Sequence, residues 1–178
     1  YVASGLIATT QYYYAFFASN VSWQAWAINT ENFRTLDYPD WSGYADDIWG
    51  NTNNWGGRNI PDQASEYAVF NGSGVGDVDL AHGKYTIDHI LFTEGGYNIT
   101  DLSEVKGSLT LATMTNMAGM NTISAEMDVT GDVVVSGGKL VLANTAEFSG
   151  SRLVMAGGDL DLLGEMAMLY GKLHHWGY

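Results

Sequence analysis

The sequence predicts an all-β chain, a parallel β-solenoid built from coils of about 20 residues. Three observations carry that prediction. A glycine pair followed by alternating apolar residues keeps returning, as GGYNI at Gly95 to Ile99, GGKLVL at Gly137 to Leu142 and GGDLDL at Gly157 to Leu162. The last two copies lie 157 − 137 = 20 residues apart, and superposing them matches Val133 with Leu153, Val135 with Met155, Leu140 with Leu160 and Leu142 with Leu162. Between these apolar pairs, the same superposition sets Asp132 on Arg152 and Lys139 on Asp159.

Side chains on a strand alternate between faces, so the four apolar pairs share one side and the charged pairs the other. A unit this short cannot hold a helical hairpin but suits one coil laid on the next. Coils stacked at ~4.8 Å bring Asp132 beside Arg152 and Lys139 beside Asp159. Such exposed pairs fix register more than stability. The apolar ladder supplies the stability, at ~1.5–3 kcal/mol per large side chain fully buried.

Upstream, the ladder is expected to run back through Leu109 and Leu111 to Ile90 and Phe92, in steps of 24 and 19 residues. The longer step holds Met114, Met117, Gly119 and Met120, which are expected in a loop or bulged corner. The competing architecture is an antiparallel sandwich, whose strands also alternate. Its hairpins favour Asn-Gly or Asp-Gly turns, and Asn71-Gly72 is the one such dipeptide here.

A chain of 178 residues suits one domain with an appendage. It has 22 glycines, only Pro39 and Pro61 as prolines, and too much apolar surface for disorder. Glycine at coil corners supplies positive φ without a side-chain clash. Twenty acidic residues against 7 basic give a net charge of −13, with no basic cluster anywhere. Nucleic acid and anionic membrane surfaces are therefore poor partners. The absence of cysteine excludes disulfides and thiolate metal sites.

Tyr1 to Thr30 contain no charged side chain, the first being Glu31, yet they include Tyr12, Tyr13, Tyr14, Phe16, Phe17, Trp23 and Trp26. The run opens without Met and without the Lys/Arg cluster of a secretory signal, so the chain reads as processed or partial. Thr9, Thr10, Gln11, Ser19, Asn20 and Ser22 interrupt it too often for a membrane span. Residues 1–40 are expected to form an arm or cap, and 41–178 the solenoid. Two readings of the arm stand. It covers the solenoid's open strand edges, or it docks on a neighbouring subunit. Its conformation is open, since Val21, Trp23 and Ala25 suit a strand while Tyr13, Phe16 and Phe17 suit one helix face.

From Trp41 the text changes character. Asp46-Asp47-Ile48-Trp49-Gly50-Asn51-Thr52-Asn53-Asn54-Trp55 is followed by Pro61-Asp62, then Tyr67-Ala68-Val69-Phe70-Asn71-Gly72, then Tyr85-Thr86-Ile87. Over Trp41 to Leu163 this order resembles the opening of bacterial proteins carrying autotransporter-associated β-strand repeats. In that family a tryptophan and an Asn-Trp precede a proline, and a strand ending in Gly-Gly-Tyr follows. The resemblance implies a right-handed parallel β-helix, secreted or at the cell surface, serving as stalk, adhesin or surface layer. Members often end in a membrane-inserted barrel or a sorting tail. The sequence here runs instead to His174-His175-Trp176-Gly177-Tyr178, which suits the repeating unit of a fibre.

Signals of chemistry are thin. Paired carboxylates occur at Asp46/Asp47, Asp77/Asp79 and Asp159/Asp161. A β-helix glycosidase or lyase needs carboxylates facing one groove; Asp159 and Asp161 share a face, but with Lys139 below they read as a solvated, salt-bridging surface. Calcium at such rows lacks the expected glycine-aspartate repeat. His82, His89, His174 and His175 read as structural, and adjacent strand residues such as the last two point to opposite faces. GSGVG at Gly72 to Gly76 lacks the lysine of a phosphate loop. Three glycosylation sequons, at Asn20, Asn71 and Asn98, carry no weight in a bacterial protein.

Trp41, Trp49 and Trp55 are either plugs for the first coil or candidate glycan contacts. The reading that results is a non-enzymatic, secreted structural protein with no cofactor or metal. Subunits join head to tail through Tyr12, Tyr13, Tyr14, Phe16, Phe17, Trp23 and Trp26 at one end and Trp176 and Tyr178 at the other. The alternative is a monomeric adhesin or carbohydrate-binding module. A β-helix polysaccharide enzyme is the third class.

Overall fold

The structure is a computed structural model. It describes residues 11–19, 22, 24–27, 30–34, 38–74, 76–144, 146–149, 152–163, 166–169 and 172–175. The chain divides into two compact units, Tyr1–Asp37 and Tyr38–Tyr178.

The first unit contains β1 (Gln11–Tyr14), β2 (Phe17–Ser19), β3 (Gln24–Trp26) and β4 (Glu31–Arg34). β2 and β3 pair antiparallel with Phe17 opposite Trp26, and β1 and β4 continue the same ribbon with Tyr14 opposite Glu31. The helical alternative for Tyr13, Phe16 and Phe17 is thereby replaced by strands, the conformation that aromatic side chains favour. Phe17 and Trp26 form a cross-strand ring pair with centroids 4.8 Å apart.

The second unit is a parallel solenoid. Its strands are β5 (Tyr67–Phe70), β6 (Gly76–Asp79), β7 (Lys84–Phe92), β8 (Tyr97–Thr100), β9 (Ser108–Asn116), β10 (Met120–Ile123), β11 (Glu126–Val129), β12 (Val133–Val135), β13 (Lys139–Leu142), β14 (Ala146–Ser149), β15 (Arg152–Met155), β16 (Asp159–Leu162), β17 (Met166–Leu169) and β18 (Lys172–His175). They stack in three columns. One holds the first halves of β7 and β9, then β11, β14 and β17. The next holds β5, the second halves of β7 and β9, then β12, β15 and β18. The third holds β6, β8, β10, β13 and β16. Because β7 and β9 run through the corner between the first two columns, those columns merge into one nine-stranded sheet.

The register read from the glycine repeats is the observed one. Val133 pairs with Leu153 and Val135 with Met155, while Leu140 pairs with Leu160 and Leu142 with Leu162. Ile90, Phe92, Leu109, Leu111, Val133, Val135, Leu140, Leu142 and Leu153 are buried, and Met155 and Leu160 pack on them partly covered. Leu162 departs from the expected core, being 44 % exposed. Its strand β16 has a neighbour on one side only among the described strands, so nothing described stacks on Leu162 from above.

The upstream register differs from expectation. Ile90 pairs with Met114 and Phe92 with Asn116, which in turn pair with Val133 and Val135. Leu109 and Leu111 belong to the other column, between Tyr85 and Ile87 on one side and Met127 and Val129 on the other. The long step of 113 − 89 = 24 residues therefore falls between β7 and β9. Its extra residues form the loop 101–107, and Met114 is a core residue. Two features hid this. The inward phase shifts at the corner within β9, from Leu109 and Leu111 to Met114 and Asn116, and Asn116 occupies an inward ladder position where an apolar residue is expected.

Burying that amide without a partner would cost ~1–3 kcal/mol. Asn121 Nδ2 donates to Asn116 Oδ1 at 2.8 Å, and Asn116 Nδ2 donates to the Gly137 carbonyl at 2.7 Å. Asn121 Nδ2 also reaches the Glu94 carbonyl at 3.0 Å, while its Oδ1 accepts from the Tyr97 N–H at 3.1 Å. The pair ties three successive coils at one corner.

At the same corner the glycine pairs have a second purpose beyond positive φ. A Cβ on Gly95 would lie 2.6 Å from the Gly119 Cα, and one on Gly119, whose φ is +63°, would strike Gly95 in return. Backbone packs on backbone there, which only glycine permits.

Candidate assembly surfaces

Residues 38–66 close the solenoid at its first coil. Trp41 N–H donates to the Val69 carbonyl at 2.8 Å, and Val69 N–H donates to Pro39 at 3.1 Å. On the neighbouring column, Asp79 N–H donates to Asp47 at 2.6 Å and Trp49 N–H to Asp79 at 2.8 Å. The outer edges of β5 and β6, which would otherwise present unpaired backbone groups, are thus occupied by the cap.

Buried Asn54 holds this cap in shape. Its Oδ1 accepts from Ala45 N–H at 2.9 Å and Asp46 N–H at 3.2 Å. Its Nδ2 donates to Asp46 Oδ1 at 2.6 Å and to the Ile48 carbonyl at 2.9 Å. The Asp46 carboxyl, gathering Ile48 N–H and the amides of Asn51 and Asn54, is held below the usual carboxylate range. The residue before Trp55 therefore has a physical reason to be asparagine: one amide satisfies four backbone or carboxylate groups.

Trp41, Trp49 and Trp55 lie inside this cap, all three buried. Trp55 stands 5.0 Å from Trp41 and 4.8 Å from Trp49 between ring centroids, and all three rings contact Phe70. Trp55 Nε1 donates to the Trp49 carbonyl at 2.7 Å, and Trp49 Nε1 to Pro61 at 3.2 Å. Of the two roles expected of them, plug and glycan contact, this packing is that of the plug, and burial of all three rings leaves no face open to a sugar. Phe70 and Tyr85 of the first coils need cover, and the indoles provide it.

The exposed aromatics are elsewhere. On the N-terminal ribbon, Tyr13 is 70 %, Phe16 71 % and Trp26 67 % exposed, with Tyr14 and Phe17 less so and Tyr12 half-buried. Tyr14 and Phe16 meet edge to face at 5.6 Å. Trp23, Trp176 and Tyr178 lie outside the described residues. At the other end of the solenoid, β16, β17 and β18 each have one neighbour among the described strands, namely β13, β14 and β15.

The ion pairs sit on the outer faces. Arg152 grips Asp132 with two hydrogen bonds, Nε to Oδ1 at 2.9 Å and Nη2 to Oδ2 at 2.5 Å. Lys139 is opposite Asp159 in register, as expected, but its Nζ reaches diagonally to Asp161 Oδ2 at 2.5 Å. The flexible lysine stem allows the diagonal contact, which engages Asp161.

His89 lies half-buried, stacked on Tyr67 at 5.1 Å, with Nε2 3.0 Å from Thr115 Oγ1. His82 Nδ1 lies 2.8 Å from the Val105 carbonyl and steadies the loop 101–107. A shallow depression on the first column is lined by Ser108, Thr110, Glu126, Asp128 and Glu147. No sequence pattern announces it, because Asp128 and Glu147 become neighbours only through a 19-residue step outside the glycine repeats. Among the described residues no group of three metal-ligating side chains converges, and no helix is long and apolar enough to cross a membrane.

No family model matches the chain, and neither does any curated protein or solved structure. The fold by itself defines the class: a parallel β-solenoid closed at one end by a tryptophan-filled cap.

Proposed function

We propose that this chain is a non-enzymatic extracellular structural protein, a solenoid subunit joined head to tail into a filament. The observation that carries the reading is the N-terminal ribbon, which displays Tyr13, Phe16, Phe17 and Trp26 to solvent on a stretch, Gln11 to Trp26, without one charged side chain. Large exposed apolar patches mark interaction sites, and rings of this kind dominate interface energetics. The matching surface is the one formed by β16, β17 and β18, each of which has one neighbour among the described strands. A contact between two different surfaces of one chain does not close on itself, so it propagates as a fibre. The solenoid supplies stiffness through its buried ladder. Secretion rests on the likeness of the Trp41 to Leu163 stretch to autotransporter-associated repeats.

Sedimentation velocity over a concentration series tests this. The native chain should grow into long species, and a Phe16→Ser/Trp26→Ser variant should stay monomeric with unchanged far-ultraviolet circular dichroism. Monomers from both would reject assembly.

A further inference from the structure

We infer that Asn71 is a site of spontaneous deamidation and that the Tyr97 hydroxyl holds its rate down in the native fold. The inference is independent of the filament reading. Asn71-Gly72 is the one Asn-Gly dipeptide in the chain, and both residues are exposed at the corner between β5 and β6. Glycine at 72 leaves its own backbone nitrogen without a side chain beside it, and it takes the corner's left-handed φ of +90°. Water is the one co-reactant. The Gly72 nitrogen, once its proton is lost, attacks Asn71 Cγ; the N–Cγ bond forms, the Cγ–Nδ2 bond breaks and ammonia leaves. Water then opens the succinimide at either carbonyl, giving aspartate or, with the main chain running through Cγ, isoaspartate.

The fold restrains both reacting groups. Gly72 N–H donates to the Tyr97 hydroxyl at 2.7 Å, so the nucleophile keeps its proton on a partner that solvent does not reach. Tyr97 is 2 % exposed and packs on Phe70 and Phe92, with ring centroids 5.0 and 6.2 Å away. The same burial raises the phenol above the usual tyrosine range, which disfavours the phenolate that could take the Gly72 proton. The electrophile is held separately. Asn71 Oδ1 accepts from Ser73 N–H at 3.2 Å, and its Nδ2 donates to Asp40 Oδ2 at 3.2 Å. An Asx turn of this kind commits the side-chain amide to residue 73 instead of Gly72.

The product differs from the parent in charge and in backbone length. An aspartate at position 71 would set a carboxylate against Asp40, where the amide now donates, and take the net charge from −13 to −13 − 1 = −14. Isoaspartate would also add a methylene group to the main chain at the corner between β5 and β6.

The experiment incubates the full chain at mildly alkaline pH, native and unfolded in urea. Beside it stand Tyr97→Phe, which keeps the packed ring and drops the hydroxyl, and Asn71→Gln, whose longer side chain closes a ring poorly. Isoelectric focusing follows the acidic product, and peptide mass spectrometry places it. Asn71 should deamidate more slowly in the native chain than in the unfolded one. Folded Tyr97→Phe should react about two- to tenfold faster than the native chain, the factor that one ordinary hydrogen bond carries. Equal rates in the native chain and folded Tyr97→Phe would overturn the inference, as would equal rates in the native and unfolded chains. So would an Asn71 that stays intact even when unfolded, or an acidic product at this position that survives Asn71→Gln. Hydrogen exchange gives a reading that needs no variant: the native Gly72 amide should be protected despite its exposed position, and exchange at the unprotected rate would contradict the role of Tyr97.

Discussion

Arg152 stands one coil above Asp132 and holds its carboxylate with both Nε and Nη2. That contact keeps the Asp132 carboxyl below the usual carboxylate range, the Arg152 hydrogen bond being the main cause and partial burial opposing it. A carboxyl with a lowered folded pKa stabilises fully above its unfolded value, ~3.9, and loses that share as pH falls through the folded value. Arg152→Ala should return Asp132 toward its ordinary value, followed by NMR titration of the side-chain carboxyl carbon. An unshifted titration would show that the pair is not formed in solution.

His89 titrates in the opposite chemical sense with the same outcome. Burial holds its imidazole below the usual histidine value, against a smaller pull from Asp88. The unfolded chain then binds the proton more readily, so this share of stability is full above ~6.5 and is lost as pH falls through the folded value. Between about pH 7 and about pH 5 the native chain should lose more thermal stability than a His89→Gln variant. Equal losses would mean that His89 is not sheltered.

Leu140 and Leu162 occupy adjacent inward positions of the third column but differ in cover, the first buried and the second exposed. Leu140→Ala should cost ~2–5 kcal/mol in urea unfolding, the range for a buried leucine. Leu162→Ala should cost less than ~1 kcal/mol, as surface changes do. Similar losses at both would contradict the register.

Gly119→Ala should destabilise by at least ~1–3 kcal/mol, combining left-handed strain with a clash against Gly95. The same substitution at Gly76, where a Cβ meets nothing, tests φ alone and should be milder. Thermal melts of the two variants decide it.

Asn121→Leu removes the amide that satisfies Asn116 and the Glu94 carbonyl, leaving buried polar groups unpaired. A loss of about 2 kcal/mol or more is expected in chemical unfolding. A neutral result would place water, rather than Asn121, at that corner.

The parts of the fold that were legible in the sequence are those where one coil repeats the next without interruption. Val133 to Leu142 and Leu153 to Leu162 carry the same alternation at the same spacing, so their pairing could be read directly. It failed where a residue served the corner instead of the ladder. Asn116 is inward and polar because Asn121 meets it, a partner that no periodicity announces. The Trp41, Trp49 and Trp55 cluster was visible as a motif, yet only the packing on Phe70 separates a plug from a sugar platform. Aromatic density on the N-terminal stretch was plain, whereas its antiparallel pairing was not, since the strands that pair, β1 with β4 and β2 with β3, share no repeat that announces their register.

The most direct test of the assembly account is negative-stain electron microscopy of the full chain beside a version lacking residues 1–37. Filaments from the full chain and single particles from the shortened one are predicted, which would assign joining to the aromatic ribbon. Single particles from both would contradict the account and redirect the search to soluble ligands of an isolated solenoid.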